Sequence, residues 1–397
     1  MRNGLQLQRP HSWSLDPGGV VFTASDIAEV TGGELIHSAP PGSVTTDTRT
    51  LLPGQWFLAL QGNNFDGHRF MHEAQARGCA GVIVSAVSLT GQDEAHGIIL
   101  VDNTLQALQR LAQNVRQRYP GPVVAITGSC GKTTTRTMTG LILSALGPVH
   151  QTAGNLNNHV GLPLTLLELP PTAAACVLEL GMSARGEIAV LAGICKPTLR
   201  VITNVAEVHL AGVGGTLAGV AEAKAELLQT ARPSDTLGGE AGLHTHLELR
   251  IREAPGAPGT ALDVEVPAPG LHLASNAAAA VAVGLALGVP VPGMAASLAR
   301  YQPTGMRMRV ERVGAGITIL NDAYNASLMS VQSALQLLRE MPAGRRHIVV
   351  LGDMKELGPQ ELVAHVAVMR DCCCQPFDLV ALVAAAIAKY HDQKEPQ

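Results

Sequence analysis

The chain has 397 residues, which is enough for two or three domains and excludes a single small binding module. Apolar residues make up 46% and charged residues 15%, with 42 glycines and 24 prolines, so the chain is typical of a folded, loop-rich α/β protein rather than a disordered one. The formal net charge of −4 provides no basic surface for nonspecific nucleic-acid binding. Any bound phosphate must therefore be held by a local site.

The cysteines and the start of the chain predict a cytoplasmic protein. Seven cysteines form no CxxC pair and no cysteine–histidine spacing typical of a zinc site, and their odd number favours a reducing compartment. We expect Cys79, Cys176 and Cys195 to be small buried apolar residues. The sequence has no run of about 20 apolar residues for a membrane span and no apolar signal segment near its start.

The first region, residues 20–118, alternates short apolar runs with helical patterns and is predicted to be a small α/β domain. Strands are predicted at 56–60, 81–84 and 97–101, and helices at 70–77 and 105–118. The sequence YPGP at 119–122 ends this region, because two prolines around a glycine cannot continue a helix.

The second region, residues 119–300, is predicted to contain a parallel sheet with crossover helices. Apolar, β-branched runs at 123–127, 176–181 and 199–205 are separated by helix-length segments. Between 231 and 269 the pattern gives way to Pro- and Gly-rich sequence that ends in the alternating run ALDVEVP. An Ala-rich helix is predicted at 275–287.

The third region, residues 301–397, contains two further predicted strands, at 317–322 and 347–353. The helical pattern at 328–341 joins them, so we expect a βαβ unit. An Ala- and Val-rich segment and a charged tail follow.

The sequence VVAITGSCGKTTT at 123–135 predicts a phosphate site between a strand and a helix. Glycines allow backbone N–H groups to converge on phosphate oxygens, a lysine neutralises the phosphates, and a threonine hydroxyl can hold Mg²⁺. Ile126 occupies the first glycine position of the general GxxxxGK[ST] pattern, so a shortened loop, TGxxGKT, fits instead. The alternative is an ordinary glycine turn that caps a helix.

Three further residues are candidates for the same site. Glu179 lies at the end of a predicted strand, where a carboxylate can bind metal, although a solvated loop carboxylate is the alternative. His209 follows the next strand, and a lone histidine is more often structural. Lys224 lies in a helical run and is by default a solvated lysine.

Taken together, the motifs resemble those of the Mur ligase family, ATP-dependent amide-forming enzymes of peptidoglycan synthesis. Those motifs span most of residues 22–370 and comprise TDTRTLLPGQWFLALQG, FDGHRF, ITGSCGKTTT, TAGNLNNHVGLPLTLL, LELGMSARGEI, ITNVAEVHLAGVGGTLAGVAEAKAEL, NDAYNASLMSVQSAL and GDMKELG. The resemblance implies three domains: an N-terminal UDP-binding α/β domain at 20–118, a central P-loop parallel-sheet ATPase domain at 119–300, and a shortened C-terminal Rossmann-like α/β domain at 301–397.

Within the family, the motifs NLNNHVGLP, NDAYNAS and GDMKELG are similar to those of members that add a dipeptide. The resemblance implies that ATP activates the carboxylate of UDP-N-acetylmuramoyl-tripeptide as an acyl phosphate, which the amine of D-alanyl-D-alanine then attacks. The products are ADP, phosphate and UDP-N-acetylmuramoyl-pentapeptide. It further implies a requirement for Mg²⁺ and a cytoplasmic monomer that binds no nucleic acid.

The resemblance also implies residue roles, with Lys132, His209 and Lys224 as the catalytic residues. The implied ATP-binding residues are Gly128, Ser129, Cys130, Gly131, Lys132, Thr133, Thr134, Asn276, Arg307, Asp322, Tyr324 and Asn325. The implied metal ligands are Thr133, Glu179, His209 and, when carbamylated, Lys224. The implied contacts to the UDP-linked substrate are Thr48, Arg49, Asn157 and Asn158.

The sequence departs from the family pattern in three places. The stretch 228–262 is too short for the expected strand and helix, the third domain lacks the later strands, and Leu273 replaces a common asparagine. We therefore keep two alternatives: a ligase-like binding or regulatory protein that joins no substrates, and a P-loop NTPase of another class.

Overall fold

The computed structural model describes residues 14–62, 65–85, 97–206, 209–229, 236–238, 246–251, 260–266, 272–303, 305–313, 317–341, 346–355, 357, 360–374 and 377–382. The chain divides into two compact units. The first comprises Met1–Val123, Pro148–Leu178 and Val190–Pro197, and the second comprises Val124–Gly147, Glu179–Ala189 and Thr198–Gln397.

The secondary structure alternates strands with helices along most of the chain. The strands are β1 (Leu15–Asp16), β2 (Gly19–Val20), β3 (Glu34–His37), β4 (Val44–Thr45), β5 (Trp56–Leu58), β6 (Gln61–Gly62), β7 (Phe65–Asp66), β8 (Gly81–Ser85), β9 (Gly97–Val101), β10 (Val123–Thr127), β11 (Val149–Gln151), β12 (Ala175–Glu179), β13 (Leu199–Ile202), β14 (Thr236–Gly238), β15 (His246–Ile251), β16 (Thr260–Glu265), β17 (Arg309–Val313), β18 (Ile317–Asn321), β19 (Ile348–Leu351) and β20 (Leu379–Leu382). The helices are α1 (Ala24–Thr31), α2 (Met71–Ala76), α3 (Thr104–Arg118), α4 (Lys132–Leu143), α5 (Gly161–Leu167), α6 (Glu187–Cys195), α7 (Leu217–Gln229), α8 (His272–Ala286), α9 (Val291–Leu298), α10 (Leu328–Glu340) and α11 (Glu361–Cys373).

The N-terminal part of the first unit is built on a five-stranded sheet in the order β3-β9-β8-β5-β4. Strands β4, β5, β8 and β9 pair in parallel, and β3 pairs antiparallel with β9. Every residue of β8 is buried, as expected of a parallel strand covered on both faces. The strands predicted at 56–60, 81–84 and 97–101 and the helices predicted at 70–77 and 105–118 are therefore confirmed.

The second unit places β10 beside β13 and β13 beside β14, all in parallel. Ile126 pairs with Val201, and all five residues of β10 are buried. Parallel strands end at one edge of their sheet, so the segments after β10 and β13 meet there. In the first unit, β11 pairs in parallel with β12.

The structure corrects the prediction that the shortened stretch 228–262 has lost its strand. Strand β14 lies within this stretch and pairs with β13 from Leu199↔Thr236 to Val201↔Gly238. The prediction failed because Thr236–Gly238 is only three residues long and lies among glycines, so it carries almost no periodic signal. The alternating run after it forms β16, which pairs antiparallel with β15.

The structure confirms the two strands and the helix predicted in the third region, as β18, α10 and β19, but within the described residues β18 and β19 do not pair with each other. Strand β18 pairs antiparallel with β17, whereas β19 pairs in parallel with β20. The βαβ unit is therefore β19, α11 and β20, and α10 leads into it rather than joining its strands. One core cluster packs Leu335 of α10 and Val368 of α11 against Val349 of β19.

The cysteine predictions are confirmed for Cys79, Cys176 and Cys195, which are buried and free. Cys372 is also buried, whereas Cys373 and Cys374 are exposed. In the part of the chain that the structure describes, no helix has both the length and the apolar character needed to cross a bilayer.

Candidate active site

The loop between β10 and α4 has the backbone shape of a phosphate loop. Gly128 has a φ of +152° and Gly131 a φ of +80°, conformations that L side chains rarely adopt. A Cβ atom at Gly128 would overlap the Thr203 hydroxyl, and one at Gly131 would overlap the Asn276 amide. The glycines are thus required by both backbone angle and space. Helix α4 begins directly after Gly131, so its first N–H groups have no intrahelical acceptor.

The segment that directly follows β13 holds this loop through hydrogen bonds. The Ser129 N–H donates to the Asn204 carbonyl oxygen at 3.0 Å, and the Cys130 N–H donates to Asn204 Oδ1 at 2.9 Å. Asn204 Nδ2 donates to the Cys130 carbonyl oxygen at 3.1 Å, and the Thr203 hydroxyl donates to the same oxygen. The Ser129 hydroxyl donates to the carbonyl oxygen of Ala206 at 3.0 Å. These bonds hold the loop to the segment that follows β13.

Lys132, the first residue of α4, folds back over the loop. Its Nζ donates to the Gly128 carbonyl oxygen at 2.8 Å and to the Ser129 carbonyl oxygen at 3.4 Å. Burial lowers the pKa of Lys132, and the negative charge of Glu179 partly opposes that shift. The ammonium group thus lies within the loop, where the oxygens of a bound phosphate would compete with the two carbonyl oxygens for its hydrogen bonds.

Glu179, at the end of β12, lies in a buried polar cluster with two residues of α4. The Thr133 hydroxyl donates to Glu179 Oε2 at 2.9 Å, and one terminal nitrogen of Arg136 lies 3.8 Å from the same oxygen. Burial lowers the pKa of Arg136. Glu179 is only 2% exposed, which excludes the alternative of a solvated loop carboxylate.

Lys224 is not a solvated helix lysine either, because it is only 1% exposed on α7. Burial, followed by the positive charge of Lys132, lowers the pKa of Lys224 from 10.5 to about 7. A large fraction of this amine is therefore uncharged near neutral pH. An uncharged amine is a nucleophile, which a solvated lysine at pH 7 is not.

His209 is half-buried directly before the short 3-10 helix Leu210–Val213. Its φ of 56° is in the left-handed region, an uncommon and costly conformation for a residue with a Cβ atom. Over the described ranges, no three or more histidine, cysteine, aspartate and glutamate side chains are grouped so that they could hold a metal ion. The oxygen atoms of the Thr133 hydroxyl and the Glu179 carboxylate do converge, at 2.9 Å from each other.

Two residues beyond the central strands pack against the first turn of α4. The Thr135 hydroxyl donates to Asn276 Oδ1 at 3.0 Å, and Asn276 is 4% exposed on α8. Tyr301 hydrogen-bonds to the side chain of Thr134, and burial raises the pKa of Tyr301. The predicted adenine contact, Asn276, therefore lies at the helix that carries Lys132 and Thr133.

The predicted C-terminal nucleotide residues form a second group in the same unit. The Arg307 guanidinium lies 4.1 Å from the centre of the Tyr324 ring, a cation–π contact, and Asn325 beside it is exposed. Asp322 accepts a hydrogen bond from the Met308 N–H at 2.9 Å, and burial raises the pKa of this carboxyl. Arg307 opposes that shift.

One contact links the two groups directly. Cys130 Sγ lies 3.2 Å from the hydroxyl oxygen of Ser327, the N-cap of α10, only two residues after Asn325. The phosphate loop and the start of α10 therefore touch. Ser327 was not predicted as a site residue.

The predicted UDP-linked residues lie in the first unit. Thr48 is buried and begins a 3-10 helix, and the exposed Arg49 makes two hydrogen bonds with Asp47, at 2.9 and 2.6 Å. The hydrogen bond from Arg49 lowers the pKa of Asp47. Asn158 Oδ1 accepts from the N–H groups of Val160 and Gly161 and so holds the turn that leads into α5.

Comparison with known proteins decides the family. Family models match residues 42–116 (Mur ligase family, catalytic domain), 126–237 (Mur ligase middle domain) and 306–395 (Mur ligase, glutamate ligase domain). The UDP-N-acetylmuramoyl-tripeptide–D-alanyl-D-alanine ligase of Bacillus subtilis is 38% identical over 371 residues, covering 86% of this chain and 81% of the relative. The chain belongs to the Mur ligase family.

Further Mur ligases support the assignment. The ligase of the same name from Synechocystis is 38% identical over 336 residues, covering 80% of this chain and 73% of the relative. The crystal structure of MurF from Acinetobacter baumannii superimposes with a TM-score of 0.82 and 29% identity, covering 92% of this chain and 86% of that one. The three-domain Mur ligase fold and the α/β class with parallel sheets are confirmed.

The candidate site also contains residues that sequence reasoning did not single out. Arg136, Thr203, Asn204, Tyr301 and Ser327 all contact predicted site residues. Most of them lie inside or next to motifs that carry the resemblance. Their position within those motifs was the one signal that could have identified them as site residues, because their residue types alone indicate no chemistry.

Proposed function

We propose that the protein is an ATP-dependent ligase that joins D-alanyl-D-alanine to UDP-N-acetylmuramoyl-tripeptide for peptidoglycan synthesis. The observation that carries this proposal is 38% identity to a ligase of that name over 81% of its length. The phosphate loop is independent support, because its glycines, lysine and threonine have the chemistry that nucleotide phosphates require.

ATP is the nucleotide proposed for the loop, with Gly128, Ser129, Cys130, Gly131, Lys132, Thr133 and Thr134 around its phosphates. Asn276 would contact adenine, and Arg307, Asp322, Tyr324 and Asn325 would complete the site from the third domain. Support comes from the short distance between Cys130 and Ser327, which brings the segment after Asn325 to the loop.

Mg²⁺ fits the residues present, because hydroxyl and carboxylate oxygens are its preferred ligands and those of Thr133 and Glu179 already converge to 2.9 Å. We propose these two as ligands, together with His209. When bound, the ion would neutralise charge on phosphate oxygens. Lys224 joins the set as a carbamate, formed when its neutral amine adds to CO₂ and releases a proton; burial and a pKa of about 7 support this step.

The chain's own residues would act mainly by position and charge. The tripeptide carboxylate attacks the γ-phosphate, ADP leaves, and the dipeptide amine then displaces phosphate from the acyl phosphate. Lys132 offsets negative charge that develops on the transferred phosphoryl group. Arg307 and Tyr324 would help to exclude water, which would otherwise hydrolyse the acyl phosphate.

The remaining proposals concern organisation. We propose domains at 20–118, 119–300 and 301–397, with Thr48, Arg49, Asn157 and Asn158 holding the UDP-linked substrate. We also propose that the protein is a monomer, as the resemblance to the family implies. Seven free cysteines and a nucleotide-linked substrate support a cytoplasmic location.

The decisive experiment measures phosphate release with ATP, Mg²⁺, UDP-N-acetylmuramoyl-tripeptide and D-alanyl-D-alanine. We expect release that depends on all four components, with formation of the pentapeptide product by mass spectrometry. Nucleotide binding without dipeptide-dependent release would favour a regulatory protein. Hydrolysis indifferent to the UDP-linked peptide would favour another class of NTPase.

The matched variant is Lys132→Ala. It should abolish phosphate release while binding of the UDP-linked tripeptide, measured by calorimetry, stays within about twofold of wild type, because Lys132 donates its hydrogen bonds to two carbonyl oxygens of the phosphate loop. Retained turnover would refute the assignment of this loop.

A further inference from the structure

We propose that Thr203 and Asn204 are positioning residues for ATP, acting through the peptide group between Cys130 and Gly131. They would orient the Gly131 N–H toward phosphate without touching the nucleotide themselves. This inference rests on the proposed ATP site and adds to it two residues that directly follow β13.

The first step is the number of bonds on one carbonyl. The Cys130 carbonyl oxygen accepts from Asn204 Nδ2 at 3.1 Å and from the Thr203 hydroxyl, which uses both of its lone pairs. The Cys130 N–H is also held, because it donates to Asn204 Oδ1 at 2.9 Å. The Asn204 side chain therefore pairs with both polar groups of Cys130, as a neighbouring strand would.

The second step is peptide geometry. The peptide between Cys130 and Gly131 is trans, like every other described peptide bond, so its N–H points opposite to its carbonyl. Holding the Cys130 carbonyl toward β13 therefore turns the Gly131 N–H away from β13. The Gly131 N–H then points to the same side as the first N–H groups of α4, and these groups together form the anion-binding end of the helix.

The third step is the cost of the alternative orientation. Glycine tolerates several backbone conformations, so Gly131 alone does not prevent a rotation of this peptide. Rotation would place a carbonyl oxygen where an N–H should meet a phosphate, exchanging an attraction for a repulsion. Thr203 and Asn204 oppose that rotation because it would break both of their bonds to the carbonyl.

The test compares Thr203→Val, which keeps the shape and removes the hydroxyl, with Thr203→Ser, which keeps the hydroxyl. Asn204→Ala removes the side-chain amide. For Thr203→Val and Asn204→Ala we expect KM for ATP to rise about three- to tenfold, the effect of one or two lost hydrogen bonds. The KM for the UDP-linked tripeptide should stay within about twofold, and Thr203→Ser should recover most of the ATP affinity.

A second readout follows the loop itself. In a Cys373→Ser/Cys374→Ser background, which removes the exposed thiols, the alkylation rate of Cys130 reports how firmly its peptide is held. We expect Asn204→Ala to raise that rate at least threefold and to weaken its protection by ADP. As a control, Thr31→Val removes a buried hydroxyl bonded to the Ile27 carbonyl in the other unit and should change neither ATP affinity nor the alkylation rate.

The inference is overturned if Thr203→Val and Asn204→Ala lower thermal stability as Thr31→Val does but leave KM for ATP unchanged. The inference would also be overturned if Thr203→Ser bound ATP as weakly as Thr203→Val does. Absence of dipeptide-dependent phosphate release from the wild-type protein would refute the proposed function instead. In that case the ADP affinities of the same variants, measured by calorimetry, still decide the role of Thr203 and Asn204. Affinities equal to that of the wild-type protein would refute the positioning role.

Discussion

Breaking the buried pair of Arg136 and Glu179 should strongly destabilise the protein. The two side chains are 9% and 3% exposed and their charged atoms lie 3.8 Å apart, which corresponds to about 4 kcal/mol at an effective dielectric constant of about 20. Glu179→Gln removes the negative charge but keeps an acceptor for Thr133, leaving the Arg136 charge buried. We expect the free energy of unfolding to fall by about 3–4 kcal/mol.

The assay is a double-mutant cycle with Arg136→Met, Glu179→Gln and the combined variant, measured by urea unfolding in EDTA without nucleotide. The combined variant should lose less than the sum of the single losses, because it removes both charges of the pair, with a coupling energy of about 3 kcal/mol. The control cycle uses Arg185 and Glu222, which are only 2.8 Å apart but 55% and 64% exposed. There we expect about 0.5 kcal/mol. A coupling at Arg136 and Glu179 no larger than in the control would refute the reasoning.

Three further predictions address individual groups. Gly131→Ala should weaken ADP binding, and it should lower the melting temperature more than Gly288→Ala does. Both glycines have a positive φ, but of the two only Gly131 faces another side chain. Equal losses of melting temperature would show that the backbone angle alone matters. The pKa of Lys224 is lower in the folded than in the unfolded chain, so the unfolded chain binds more protons between about pH 7 and 10.5 and stability rises with pH there. In thermal scans, the stability that Lys224→Met gains over wild type should therefore be largest below about pH 7 and shrink toward pH 10. A gain that does not change with pH would contradict the lowered pKa of Lys224. A maleimide should label Cys373 and Cys374 rapidly in the native protein, as peptide mass spectrometry would show, and the buried cysteines only after unfolding.

The phosphate loop could be predicted from the sequence because strand, glycines, lysine and helix are contiguous and each has a local physical signature. Glu179 could be placed for a similar reason, as a carboxylate at a strand end. Its partner Arg136 could not, because an arginine on a helix is usually solvated and only the tertiary fold buries this one.

Other failures share this origin. Asn204 and Ser327 reach the loop from distant parts of the chain, at separations of 74 and 197 residues from Cys130. No local pattern encodes such contacts. The third region was assigned the wrong βαβ unit because α11 carries only a weak helical periodicity, so the chain segment that joins its true strands was overlooked.

The short strand β14 also has a consequence for solubility. Without it, β13 would be an outer strand, and the unpaired N–H and carbonyl groups along one side of Leu199–Ile202 would offer a template for another chain. Strand β14 covers that side but offers only three residues of its own, too few to recruit a foreign strand firmly. Thr236–Gly238 therefore protects against aggregation, and deletions that remove it should leave a protein that precipitates on expression.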